Sequence, residues 1–139
     1  MKRRILSVLL STTFVIGLTV TCVWAGNPHF VGPTSVECDE NTVTVSGKEA
    51  GLGNETQVHI EVTALAACIN PGGKHPQAEN KESFSAEGDF PVQNGKANFM
   101  LTVEADFQPD CSPPMSVVFT DIVVADVEHN LLRNLGDCP

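Results

Sequence analysis

The chain has no tyrosine, and its one tryptophan, Trp24, sits at the end of a leader-like segment, so residues 26–139 contain neither large amphipathic aromatic. That gap excludes the buried tryptophan and the tyrosine corner of antibody-type domains. It also removes the ring faces on which many secreted modules stack sugars. Positive charge is scarce too. Beyond residue 25 only Lys48, Lys74, Lys81, Lys96 and Arg133 stand against all 17 acidic residues, which argues against nucleic acid as a partner, because phosphate binding needs a cationic face. Also missing are a GxSxG elbow, an HExxH helix, a GxxxxGK[ST] loop and any CxxC pair. Their absence removes the signatures of serine hydrolases, zinc proteases, P-loop proteins and zinc ribbons. Paired carboxylates can hydrolyse glycosides, but among 17 acidic residues a close pair arises by chance and carries no signal. The expectation is a non-catalytic protein with no cofactor and no resident metal.

What is present begins with Lys2-Arg3-Arg4, an apolar run from Ile5 to Val20, and Val23-Trp24-Ala25. This is the order of a secretory signal, basic then apolar then small. Ser7, Ser11, Thr12, Thr13 and Gly17 dilute the run, whereas a permanent span needs about 20 predominantly apolar residues. Thr19-Val20-Thr21 lacks the small residues expected before a lipidated cysteine, so Cys22 leaves with the leader. Residues 26–139 are then expected to form one secreted domain, extracellular or periplasmic, with no membrane insertion. A chain of this size buries roughly two thirds of the surface its unfolded form exposes, so cross-links help it.

Four cysteines remain after the leader: Cys38, Cys68, Cys111 and Cys138. In an oxidising compartment an even count on a small domain reads as two disulfides, with three possible connectivities. Chain entropy does not separate nested from sequential pairing. Topology favours Cys38 with Cys138, near the two ends of the domain, and Cys68 with Cys111, each bordering a proline-rich loop.

Strand patterns dominate the rest. Gln57 to Ala66 alternates, with Val58, Ile60, Val62 and Ala64 on one face; Lys96 to Glu104 repeats the pattern through Ala97, Phe99, Leu101 and Val103. A period of two marks a strand with one buried face. Asn41 to Ser46 is short and β-branched, and Ser116 to Val127 is apolar enough for a central strand. Asn94-Gly95, lying between Phe84–Val92 and the Lys96 strand, is a hairpin signal because both residues tolerate positive φ. Glu128-His129-Asn130 suggests a second hairpin, although Glu128 to Leu135 also suits one helical turn. About seven strands result, an antiparallel β-sandwich of immunoglobulin or fibronectin type III character.

One connection stands out: AACINPGGKHPQAENKES, residues 66–83. A Cys68–Cys111 bridge brings it beside Cys111-Ser-Pro-Pro-Met115. The candidate interaction loop is therefore Asn70, Pro71, Gly72, Gly73, Lys74 and His75 together with Pro113, Pro114 and Met115. Cys68, the Asn70-Pro71-Gly72-Gly73 turn and the later Cys111-Ser112-Pro113 resemble a family of small secreted bacterial β-sandwich proteins of no assigned function. The resemblance implies a fold and no catalytic residues. The expectation is an extracellular or cell-surface interaction module that presents this loop to a protein or surface partner, and two alternatives accompany it. The stiff Cys111–Met115 loop suits a protease inhibitor, in which preorganisation supplies affinity. If Cys38 pairs with Cys138, then Glu37, Asp39, Glu40 and Asp137 share a neighbourhood and offer oxygens to calcium, as in calcium-dependent adhesion, with solvated acidic residues the simpler reading.

Overall fold

A computed structural model describes residues 26–70 and 80–138. The leader, and Pro71, Gly72, Gly73, Lys74 and His75 of the candidate loop, lie outside the described residues. Seven strands follow one another: β1 His29–Cys38, β2 Thr42–Ala50, β3 Gln57–Ile69, β4 Lys81–Pro91, β5 Lys96–Glu104, β6 Ser116–Asp126 and β7 Leu131–Gly136. They form two antiparallel sheets, ordered β1-β2-β5 and β4-β3-β6-β7. No helix among the described residues is long and apolar enough to cross a membrane.

Alternation builds the core. On β3 the residues Val58, Ile60, Val62, Ala64 and Ala66 are all buried, with Phe119, Ile122 and Val124 of β6 beside them in the same sheet; Val43 and Val45 of β2 and Ala97, Phe99 and Val103 of β5 face them from the other. These side chains make one cluster between the sheets, so the apolar face of each sheet is covered by the other. Phe99 stands near the centre, edge-on to Phe30 at 5.9 Å and to Phe90 at 6.2 Å. Such offset ring pairs contribute beyond the area they bury.

The turns explain the order of the elements. Asn94 and Gly95 have φ of 53° and 71°, the paired positive values of a type I′ turn. The chain after Asp126 turns at Asn130, φ 55°, and returns as β7. A strand forms there in place of the helical turn, because Leu131 to Asp126 and Leu132 to Ala125 pair across the hairpin. β1, which its sequence hides, pairs with β2 in two segments, with a register shift between Val31 and Ser35. Gly32, at φ 67°, and Pro33, which has no N–H to donate, fall in that break.

Arg133 spans the gap between β7 and β1. Its Nη1 donates to the Gly32 carbonyl at 2.8 Å and to Thr34 Oγ1 at 3.1 Å; its Nη2 donates to the Phe30 carbonyl at 2.9 Å. The guanidinium also lies 5.4 Å from the Phe30 ring centroid, within cation–π range. One side chain thus joins the last strand of one sheet to the first strand of the other.

Both expected disulfides are present: Cys38–Cys138, with Cα atoms 6.0 Å apart, and Cys68–Cys111, at 5.7 Å. Since neighbouring strands run antiparallel, the last residues of β1 and β3 and the first of β6 lie at one end. Both bridges belong to that end. The opposite end carries the β2–β3, β4–β5 and β6–β7 connections and no bridge.

Gly47 occupies an inward position on β2 between Val45 and Glu49, directly opposite Phe99 of β5. A Cβ added there meets Phe99 Cζ at 2.6 Å, a collision the packed ring has little room to escape. Gly47→Ala is expected to lower unfolding stability by about 1 to 3 kcal/mol, read as a reduced urea midpoint with an unchanged slope.

Candidate functional site

The disulfide end holds the residues singled out from the sequence. Asn70 is exposed where β3 finishes, and Cys68, two residues earlier, is buried. Ser112, Pro113 and Pro114 are exposed, while Met115 is half-buried, its Sδ 3.7 Å from Cys68 Sγ. The Met115 N–H donates to the Ser112 carbonyl at 3.0 Å, so the two prolines form the crown of a closed turn. A cleft of about 490 Å³ lies on one side, lined by Glu40, Asn41, Cys111, Pro113, Met115 and Val117. On the other side a depression of about 170 Å³ contains Glu82, Phe107, Pro109, Asp110 and Met115.

The acidic residues near Cys38 are differently arranged. Asp39 Oδ1 accepts from the Glu40 N–H at 2.8 Å, and Asp137 Oδ1 accepts from the Asp121 N–H at 2.9 Å. All four of Glu37, Asp39, Glu40 and Asp137 are exposed. Among the described residues they make no group with donor atoms gathered for one ion.

The bridge-free end holds a constellation that reading the sequence missed. β2 alternates inward through Val43, Val45 and Gly47, and the next inward residue is Glu49; β6 alternates through Ile122 and Val124, and the next is Asp126. Both carboxylates are fully buried. One comes from each sheet, so the sandwich presses them together. His129 joins them from the β6–β7 turn, and donor atoms of all three residues lie within 4.8 Å of one another.

Local structure fixes two members. Asp126 Oδ1 accepts from the backbone N–H groups of Glu128 at 2.9 Å and His129 at 3.2 Å, the side-chain-to-backbone turn that aspartate favours. Its Oδ2 faces His129 Nδ1 at 2.5 Å. On the far side of the ring, Nε2 is 2.8 Å from Glu55 Oε1. Glu55 is brought there by the β2–β3 connection, where buried Leu52 donates its N–H to the Gly95 carbonyl at 3.0 Å and its carbonyl accepts from the Glu55 N–H at 3.2 Å.

Glu49 is different. Neither of its carboxylate oxygens has a hydrogen-bond partner. Ionised, it is a buried anion beside a second buried anion, an arrangement that favours uptake of a proton or a cation, although the charge of His129 offsets part of the cost. Burial, followed by the charge of Asp126, pushes the Glu49 pKa from 4.5 up to about 8. With that proton in place Glu49 can bond Asp126; without it the two carboxylates only repel. The hydrogen bond to Asp126 raises the His129 pKa above 6.5, with Glu55 adding to the shift and burial opposing it.

His129 has both ring nitrogens engaged by carboxylates and, among the described residues, no hydroxyl or thiol bonded to it. It is thus not arranged as the base of a nucleophilic pair. A second histidine, His59, pairs across strands with Asp89 at 2.8 Å and approaches Glu87 at 3.5 Å. That group lies on the outer face of β3 and β4, where His59 is half-buried and Glu87 and Asp89 are exposed to water. No family model, curated protein or solved structure matches the chain.

The buried cluster sets a pH dependence. Glu49 and His129 both hold protons more tightly folded than unfolded, so the folded state binds more protons between their ordinary and raised pKa values, and stability falls as pH rises. In metal-free protein, unfolding stability is expected to decline from about pH 5 to above pH 8, by on the order of a few kcal/mol. Glu49→Gln, neutral at every pH, should flatten most of that slope in urea titrations repeated across the range, leaving the part due to His129.

Proposed function

We propose that the chain is a secreted, non-catalytic β-sandwich of immunoglobulin or fibronectin type III character that presents the Cys111–Met115 turn to an extracellular protein partner. The leader pattern and two disulfides support export to an oxidising compartment. The division of seven strands into sheets of three and four supports the immunoglobulin-type reading. The resemblance carried by Cys68, Asn70-Pro71-Gly72-Gly73 and Cys111-Ser112-Pro113 belongs to the same proposal.

One observation carries it. The exposed Ser112-Pro113-Pro114 crown is anchored at both ends, by the Cys68–Cys111 bridge and by Met115 against Cys68. A turn restrained in this way loses little freedom on binding, which is how a small contact gains affinity. Glu40, Glu82 and Asp110 border the flanking hollows, so a matching partner offers basic groups around an apolar recess that accepts proline. Met115 lies against Cys68 and supports the turn from beneath, a position that suits an anchor better than the specificity side chain of a protease inhibitor.

The test places a photo-crosslinking residue at position 112 in the exported protein, with position 87 on the outer face of β4 as the control. A single adduct from position 112, reduced at least tenfold in Cys68→Ser with Cys111→Ser, is the expected result. Equal adducts from both positions, or none from position 112, would reject the proposal.

A further inference from the structure

We propose that Glu49, Asp126 and His129 bind one divalent first-row transition metal ion, with Zn²⁺ as the fitting example, and that the ion joins the two sheets at the end of the sandwich lacking a disulfide. The site is distinct from the Cys111–Met115 turn, at the opposite end of every strand. Glu49 belongs to β2 of one sheet; Asp126 and His129 belong to β6 and its turn in the other. Any ion held by all three is a cross-link.

Each ligand is prepared by what lies behind it. Asp126 uses Oδ1 on the backbone N–H groups of Glu128 and His129, which leaves Oδ2 directed at the cluster. Glu55 accepts from Nε2 of the His129 ring at 2.8 Å. That bond keeps a proton on Nε2, so Nδ1 offers its lone pair once the ion takes the place of the proton shared between Nδ1 and Asp126 Oδ2, and an outer carboxylate on a ligating histidine is the usual support of such a metal site. Glu49 supplies two buried oxygens with no partner. A dication between Glu49 and Asp126 balances both charges and removes the reason for their repulsion.

The donor set selects the class of ion. One imidazole with two carboxylates and no thiolate suits zinc and its first-row neighbours. Calcium prefers six to eight oxygens, more than this cluster offers. Tetrahedral ligands about 2.0 to 2.2 Å from one ion stand about 3.4 Å apart; the donors of all three residues lie within 4.8 Å, and the Asp126 Oδ2–His129 Nδ1 pair, 2.5 Å apart, must open by about 1 Å as the ion replaces the proton between them. The His129 side chain is partly exposed, so the ion reaches the two buried carboxylates past the edge of its ring.

The experiment begins with full-length exported protein stripped by chelator and titrated with ZnCl₂ in a calorimeter at pH 7.5, with thermal unfolding in parallel. One ion per chain and a rise in Tm that follows mass action are expected. Glu49→Gln and His129→Gln should each weaken binding by about tenfold or more, while His59→Gln should leave it unchanged. Co²⁺ added to the unaltered protein should broaden the amide signals of Glu128 and His129 before all others, a readout that requires no variant to fold. Absence of both heat and Tm shift would overturn the site and show that Glu49 is settled by its proton alone. Full-strength binding in Glu49→Gln, or broadening centred on His59, would overturn it in favour of the exposed His59 group.

Discussion

The two-residue period of β2 places whatever stands at positions 43, 45, 47 and 49 between the sheets, and most of the interior is arranged around that requirement. Val43 and Val45 meet it by filling space. Gly47 meets it by leaving space, which the Phe99 ring occupies on the paired strand. Phe99 in turn sets its edge against Phe30 and Phe90, so the missing side chain at one position organises three rings. Glu49 cannot meet the requirement by packing. Sliding β2 by one residue to release it would turn Val43 and Val45 outward, a larger loss, so the carboxylate stays inside and the surroundings accommodate it.

The two ends of the sandwich solve the same mechanical problem with different chemistry. Facing sheets are held by burial along their middle, and each end carries a closure of its own. At one end Cys38–Cys138 and Cys68–Cys111 close the gap covalently. At the other, Glu49 from one sheet meets Asp126 and His129 from the other, with Glu55 completing the group. The disulfides carry no titratable proton; the polar closure is set by protons and, in the proposal above, by an ion. The turn proposed for recognition gains from the first kind of closure, because a covalent link fixes its ends.

Much of this fold is legible in the sequence alone. β3 and β5 announced themselves by clean alternation, and Asn94-Gly95 marked its hairpin because it matches the backbone twist that tight turns require. Topology was enough to favour the correct cysteine pairs. β1 was not visible, since Gly32 and Pro33 interrupt its pattern and its register shift divides the pairing with β2. The Leu131–Gly136 segment was ambiguous because it is short and carries Arg133 within an apolar run. The candidate interaction turn was marked by its prolines and its cysteine. The buried cluster was not found, and the reason is distance along the chain: Glu49, Glu55 and Asp126 meet only when both sheets are in place. A local signal did exist. Glu49 and Asp126 each extend the apolar phase of a strand, where a charge is out of keeping, and Asp126 stands three residues before His129 in a turn.

Arg133 also bears on how copies of this protein treat one another. β1 is an outer strand of its sheet, and an outer strand offers unpaired carbonyls and N–H groups to any passing chain. Here the carbonyls of Phe30 and Gly32 are taken up by the guanidinium, Pro33 has no N–H to offer, and the bend at Gly32 breaks the straight run that a docking strand would need. The side chain that closes the molecule on itself thereby also denies its margin to a neighbour, and helps keep edge-to-edge polymerisation from starting on that side.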